Sequence, residues 1–240
     1  MPESVFILLV PIIIALVIAG VVYSAKKARE RREALLAVAL EYGFQFDPSR
    51  DRDHDDQYAH FEIFRQGHSR AAYNTLHGQI EIAGRAYQAK MGDFTYQVTS
   101  SNGKSTSTTT YRFSYVILHM PFLGVPDLLI RKEGILDKIA SVIGFDDIDF
   151  ESSEFSRKFL VKSPDKRFAY DIVHPRMMEF LMQGPAPMVD IERDRVCFMD
   201  GKRVWSVAEF RRNMQWAVAF FELWPEHVTA DLTSRQGAQL

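Results

Sequence analysis

One apolar run near the amino terminus constrains this chain more than any other feature. From Val5 to Tyr23 the sequence contains no charged and no strongly polar side chain. An apolar helix of about 20 residues crosses a hydrocarbon core about 30 Å thick. A cleaved signal peptide is the main alternative, but it needs a basic amino-terminal region and a shorter apolar core. The residues before this run carry Glu3 and no base, so we predict a transmembrane anchor over residues 1–24.

Basic side chains cluster at the carboxyl-terminal end of the apolar run. They are Lys26, Lys27, Arg29, Arg31 and Arg32. The positive-inside rule places this end in the cytoplasm, with the amino terminus outside. The same side chains are predicted to bind the membrane surface, because anionic headgroups attract each nearby base by about 1 kcal/mol. We therefore expect a single-pass protein of the inner, cytoplasmic membrane whose main domain is cytoplasmic, with a basic juxtamembrane helix over residues 25–43.

The rest of the chain has the composition of an ordinary globular domain. Hydrophobic residues make up 47% of the chain and charged residues 25%, and the net charge is −2. A nucleic-acid partner is not expected, because such partners require a basic excess. The one cysteine, Cys197, excludes an intrachain disulfide, and no neighbouring base in the sequence would activate its thiolate. The expected partners are the lipid bilayer and a protein of unknown identity.

Strand signals dominate the first part of the domain. Strands are predicted at 69–77, 80–83, 85–99, 110–121 and 127–131, from their β-branched and aromatic content. Asn102-Gly103, inside a Ser/Thr-rich stretch, predicts a type I′ turn at the solvated tip of a long hairpin. A change in the apolar alternation after Gly92-Asp93 predicts a β-bulge there.

Helix signals dominate the second part. Ser206 and Glu209 form a capping box that predicts a helix start, and helices are also predicted over 135–143, from Pro164 with Ser163 as its N-cap, and from Pro175. The predicted fold class is α+β: one amino-terminal transmembrane helix, then an antiparallel-sheet domain with packed helices. The predicted divisions are a β-rich subdomain over 44–144, an α+β subdomain over 145–225 and a mobile tail over 226–240.

Two acidic segments are candidates for a metal-binding or catalytic site. The first contains Asp51, Asp53, Asp55 and Glu62, whose spacing resembles a calcium-binding loop. The pattern departs from that loop at Asp56, where a glycine is needed for the sharp turn. We therefore interpret the segment as a solvated acidic loop, with a metal site as the weaker alternative.

The second acidic segment lies at 146–154 and contains Asp146, Asp147, Asp149 and Glu151. Clustered carboxylates are compatible with acid–base or metal-dependent hydrolysis. No second catalytic group is identifiable in the sequence, and Glu154 lies close to Arg157 and Lys158, which favours local ion pairs. No catalytic residue, metal or cofactor is predicted.

The segment 149–159 carries a pattern with its own resemblance. Asp149-Phe150-Glu151, followed by Glu154-Phe155-Ser156-Arg157 and Phe159, resembles a family of bacterial membrane-anchored proteins classed as a domain of unknown function. The resemblance implies the same layout of span, basic helix, long hairpin and helix begun by proline, and it implies no reaction. The leading hypothesis is a membrane-anchored cytoplasmic binding or scaffolding module; the alternative is a membrane-tethered metal-dependent hydrolase using the acids near 146–154.

Overall fold

The computed structural model describes residues 3–134 and 146–237, and the helix predicted over 135–143 lies outside them. The strands are β1 Gln45–Asp51, β2 His68–Ile82, β3 Arg85–Ser101, β4 Thr106–His119, β5 Leu128–Lys132, β6 Phe159–Lys162, β7 Met188–Glu192 and β8 Arg195–Met199. The helices are α1 Glu3–Tyr42, α2 His54–Gln57, α3 Glu62–Arg65, α4 Ser153–Lys158, α5 Lys166–Ile172, α6 Pro175–Met182, α7 Val207–Glu222 and α8 Glu226–Gly237.

The eight strands form one antiparallel sheet in the order β1-β2-β3-β4-β8-β7-β5-β6. A long apolar helix precedes this sheet and further helices pack on it, so the predicted α+β class is confirmed. The sheet continues across the predicted boundary at 144, because β5 from the first subdomain pairs with β6 and β7 from the second.

Both faces of the central strands are buried. The larger cluster lies between the sheet and the helices α1 and α4 to α8, and it includes Leu35, Met91 and Phe210. The smaller cluster lies on the other face, where Phe64 of α3 packs against Phe94 and Tyr115. The α7 capping box forms as predicted, and it places Phe210 in the larger cluster.

The prediction of a bulge within β3 is wrong, and the burial of both faces of this strand explains why. β3 pairs with β4 without a shift in register. The apolar alternation changes because Phe94 and Tyr96 enter the cluster on the second face. The extra residue instead lies in β2, where Asn74 and Thr75 together lie opposite Gly92. A side chain at Gly92 would bring its Cβ within 3.1 Å of the Asn74 carbonyl oxygen, so glycine permits this close approach.

The predicted hairpin is present, with a different turn at its tip. The Asn102 N–H donates to the Ser105 carbonyl at 3.2 Å, so Gly103 and Lys104 are the central residues. Gly103 has φ of +80°, whereas Asn102 is not in the left-handed region that the predicted type I′ turn requires. Instead the Asn102 side-chain oxygen accepts from the backbone N–H groups of Lys104 and Ser105, at 3.1 and 2.9 Å.

Two segments predicted without regular structure are ordered. Residues 45–51 form β1, because an edge strand tolerates polar residues and Pro48 when only one of its sides is paired. The predicted mobile tail forms α8 instead, and Val228 and Leu232 are buried in the larger cluster. The burial of these two side chains against the domain stabilises a segment whose local sequence is mostly polar.

Candidate functional site

The most constrained polar site joins helix α1 to the sheet. Arg31 of α1 donates from Nε and Nη2 to the carboxylate of Asp93 in β3, at 2.8 and 2.6 Å. Its Nη1 donates to the carbonyl oxygen of Trp205 at 2.7 Å. Asp93 is completely buried, whereas the Arg31 side chain is 23% exposed. This two-point geometry fixes the rotation of α1 about its axis as well as its position on the sheet.

The remaining donors to Asp93 come from the two neighbouring strands. Asn74 donates from Nδ2 at 3.1 Å and Ser114 donates from Oγ at 2.6 Å. Asn74 occupies the β2 bulge with φ of +51°, a conformation in which asparagine is tolerated. The backbone N–H of Trp205 in turn donates to the Ser114 hydroxyl oxygen at 2.9 Å. The buried carboxylate is therefore surrounded by donors, which a buried charge requires.

Apolar contacts extend this joint along α1. Leu35, Val38 and Ala39 are completely buried in the larger cluster. After the helix ends, the Phe44 ring packs on Gly78, where an added Cβ would lie 2.3 Å from a ring carbon. We name this whole contact region the anchor joint: Arg31, Asp93, Asn74, Ser114 and Trp205, with the apolar side chains of α1.

The predicted membrane-surface residues divide into two groups. Lys26 and Arg29 are exposed and pair only with neighbours on α1, Glu30 at 3.9 Å and Glu33 at 2.7 Å. Lys27 lies over the Tyr23 ring at 5.1 Å, and both Lys27 and Arg32 are exposed.

Arg31 is a correction to the predicted membrane-surface set. Its guanidinium is committed to Asp93 and Trp205, so it belongs to the anchor joint instead of the lipid surface. The sequence pattern groups it with its neighbours because spacing along a helix does not identify a distant partner.

The acidic residues considered for metal binding face separate cations. Asp51 accepts from Lys90 at 3.1 Å, Asp55 pairs with Arg70 at 2.6 Å, and Glu62 pairs with Arg65 at 3.5 Å. Asp53 precedes α2 without a side-chain capping bond. Within residues 3–134 and 146–237, no group of three His, Cys, Asp or Glu side chains has the arrangement of a metal site.

The acids of segment 146–154 are also dispersed. Asp147 pairs with Lys162 at 3.2 Å, and Glu154 pairs with Lys158 at 2.7 Å, as the local ion-pair interpretation predicts. The Asp149 carbonyl oxygen accepts from the Tyr170 hydroxyl at 3.2 Å. Glu151 lies at the rim of an open groove of about 610 Å³ that Phe150, Tyr170 and Met178 line with apolar surface.

A histidine and a tyrosine on the second face of the sheet lie close enough to be a candidate acid–base pair. The Tyr58 hydroxyl lies 3.1 Å from His119 Nε2, beside a cavity of about 400 Å³. Burial raises the pKa of Tyr58 to about 12. Burial, together with Arg195 and Lys90, lowers the pKa of His119. Both groups are therefore mainly neutral near pH 7, so this hydrogen bond joins two uncharged side chains. Burial likewise raises the pKa of the Cys197 thiol well above its ordinary value.

Four of the five polar members of the anchor joint were not predicted from the sequence: Asp93, Asn74, Ser114 and Trp205. One signal was available, because Asp93 is the one acid in β3 and lies next to Phe94, in the segment that alternates with Tyr96 and Val98. A charge at such a position needs a partner. The sequence gives no indication that the partner is Arg31, which is 62 residues away.

One solved structure shares the fold. It is the crystal structure of the mycobacterial trehalose monomycolate transport factor A, TtfA, with a TM-score of 0.51 and 14% sequence identity. The match covers 82% of this chain and 96% of that chain. At this identity the likeness concerns the fold. No family model and no curated protein matches the chain, so the resemblance seen in segment 149–159 stays a prediction.

Proposed function

We propose that this chain is a single-pass membrane protein whose sheet domain is a non-catalytic binding module. The observation that carries the proposal is the anchor joint. Helix α1 includes a segment long and apolar enough to cross a membrane, within Pro11–Tyr42, and it continues without a break to the residues that lock it onto the sheet. A flexible linker would let the domain sample many orientations. A continuous helix instead fixes the orientation of the domain relative to the helix itself.

The exposed bases at the end of the span support a cytoplasmic location for the domain. Lys26, Lys27, Arg29 and Arg32 all lie after the apolar run, and such bases are retained on the cytoplasmic side. We propose the inner membrane as the location.

The fold neighbour suggests the class of partner. It is named as a transport factor, and its fold covers most of this chain. We infer that this chain assists a transport protein of the same membrane by presenting a surface of its sheet domain. The separate ion pairs of the acidic side chains support a binding role over the hydrolase alternative.

Location and orientation are tested with single-cysteine variants of the full chain. Cys197 is completely buried, so the native cysteine should not react with the maleimide in the folded protein. Glu81 is exposed, so Glu81→Cys should resist a membrane-impermeant maleimide in intact cells and react after permeabilisation. Release of the intact chain by alkaline carbonate would contradict the anchor, and labelling in intact cells would contradict the orientation.

The partner is tested by affinity purification of the full chain from membranes in mild detergent. A matched control replaces residues 5–23 with an unrelated apolar span and keeps the domain intact. A transport protein enriched with both chains supports binding by the domain. Enrichment lost with the replaced span would assign the contact to the anchor, and turnover of ester, phosphate or peptide substrates by the pure chain would contradict the non-catalytic role.

A further inference from the structure

The end of the long hairpin extends past the rest of the sheet. β2 pairs with β3 only as far as Gln97, and β8 pairs with β4 only from Tyr115 onward. Between these points β3 and β4 pair with each other up to Ser101 and Thr106. We name residues 97–110 the ribbon. In the described part of the chain, no other strand pairs with the ribbon beyond Gln97.

Contacts with α1 show which way the ribbon points. Near the span, Arg31 of α1 contacts Asp93 of β3. Farther from the span, Phe44 packs on Gly78, whose partner in β3 is Ala89. Moving away from the span therefore corresponds to falling residue numbers along β3. The numbers rise toward Ser101, so the ribbon points back toward the membrane end of α1.

The length of the ribbon matches the distance to the bilayer. From Asp93 to Ser101 a strand extends about 26 Å. From Arg31 back to Tyr23 a helix extends about 12 Å. A straight ribbon inclined to α1 by less than about 60° therefore reaches the level at which the apolar run ends.

The chemistry of the ribbon suits lipid headgroups. Nine of the twelve residues in 99–110 are serine or threonine, and the stretch 97–112 contains Lys104 and Arg112 and no acid. The side chains of residues 98–110 are exposed. At its base Tyr96 and Tyr111 stack at 5.1 Å, with the Lys202 ammonium 4.9 Å from the Tyr111 ring centroid. Hydroxyl and cationic donors bind phosphate oxygens.

We propose that the tip of the ribbon binds the phosphate headgroups of the bilayer that holds α1. This proposal rests on the proposed insertion of α1. It makes the domain a body held at two points, the anchor joint and the ribbon tip. Two points of attachment limit the tilt of the domain, which a single helix does not.

The test places a fluorophore on single cysteines of the full chain in vesicles of phosphatidylcholine and phosphatidylglycerol. The sites are Ser105→Cys at the tip, Glu81→Cys near the turn between β2 and β3, and Val22→Cys in the span. Lipids spin-labelled on the headgroup should quench the fluorophore at 105 and leave the one at 81 unchanged. Lipids spin-labelled on the acyl chain should quench the fluorophore at 22.

The span site separates the two proposals. Quenching at 22 with no quenching at 105 overturns the ribbon contact and leaves the anchor intact. Absence of quenching at 22 overturns both proposals. A tip bound to a neighbouring membrane protein would also leave the fluorophore at 105 unquenched in these vesicles, and that result counts against the proposal.

A charge reversal tests the chemistry of the contact. With the fluorophore on Ser105→Cys, Lys104→Glu should reduce quenching by headgroup spin labels, and the loss should be larger in vesicles containing phosphatidylglycerol. Lys166→Glu is the matched control, because it makes the same change in net charge at an exposed position on α5. Equal quenching in both variants would overturn the proposed headgroup contact.

Discussion

Removing the Asp93 carboxylate should destabilise the domain more than any single surface change. Asp93→Ala leaves four hydrogen-bond donors without their acceptor, two from Arg31 and one each from Asn74 and Ser114. Breaking a buried ion pair by removing one partner costs about 3–5 kcal/mol. The Arg31 side chain is 23% exposed and can regain some hydration. We therefore expect a loss of about 3 kcal/mol, at the lower end of that range.

Urea unfolding of the full chain in detergent micelles measures this loss. Tryptophan fluorescence is a suitable signal, because Trp205 is completely buried within the anchor joint. Arg29→Ala is the control, because Arg29 pairs with Glu33 on the exposed surface of α1. Such an exposed pair contributes little to stability.

A double-mutant cycle identifies the interaction itself. We expect Arg31→Ala and Asp93→Ala to be non-additive by about 2 kcal/mol, because each substitution alone removes the same contact. A loss below about 1 kcal/mol for Asp93→Ala, or additive effects in the cycle, would refute the role assigned to the anchor joint.

Three further predictions concern other parts of the fold. Gly78→Ala places a Cβ 2.3 Å from the Phe44 ring and should lower the free energy of unfolding in urea by about 1–3 kcal/mol. Adding Phe44→Leu should recover part of this stability. An unchanged free energy of unfolding in Gly78→Ala would show that the ring moves freely. Burial, and next Asp127, raise the pKa of Glu192 to about 7 from its ordinary 4.5, so the folded state holds this proton more tightly, and stability should fall as the pH rises from about 4.5 to 7. Partial exposure of Glu192 limits that fall in stability to about 1–2 kcal/mol. Glu192→Gln should remove this contribution, as thermal melts at pH 5 and pH 8 would show. An unchanged pH dependence in this variant would refute the assignment of the raised pKa to Glu192. Cys197 is completely buried and its pKa is raised, so a thiol reagent should modify it in urea and not in buffer, and rapid labelling in buffer would contradict its burial.

The local elements of this protein were accessible to prediction because their signals lie within a few residues. The apolar run and its basic border predict the long helix, and α1 indeed continues through Tyr42. The capping box at Ser206 and the proline after His174 place the starts of α7 and α6 correctly. Each signal is a bond or a steric restriction between near neighbours, so the chain elsewhere has little influence on it.

The edge strand and the carboxyl-terminal helix were harder to predict from the sequence, because these segments become regular only through contacts with the rest of the domain. β1 is polar and contains Pro48, and it becomes a strand only because β2 offers a free edge. Helix α8 has a mostly polar sequence, and the burial of Val228 and Leu232 against the domain holds it. Apolar alternation in β3 predicted a bulge for a similar reason, since a strand buried on both faces does not show a single apolar period.

The sequence by itself determined the long apolar helix, its charged border, the α+β class and the long hairpin, because hydrophobicity and turn preference are properties of short stretches. Only the tertiary structure decided that Arg31 binds Asp93 while its basic neighbours stay exposed, and that the ribbon points back toward the apolar run. Both depend on contacts between residues far apart in the chain. Such pairings are chosen by the packing of the whole domain, since a buried carboxylate is stable only where the fold brings enough donors to it.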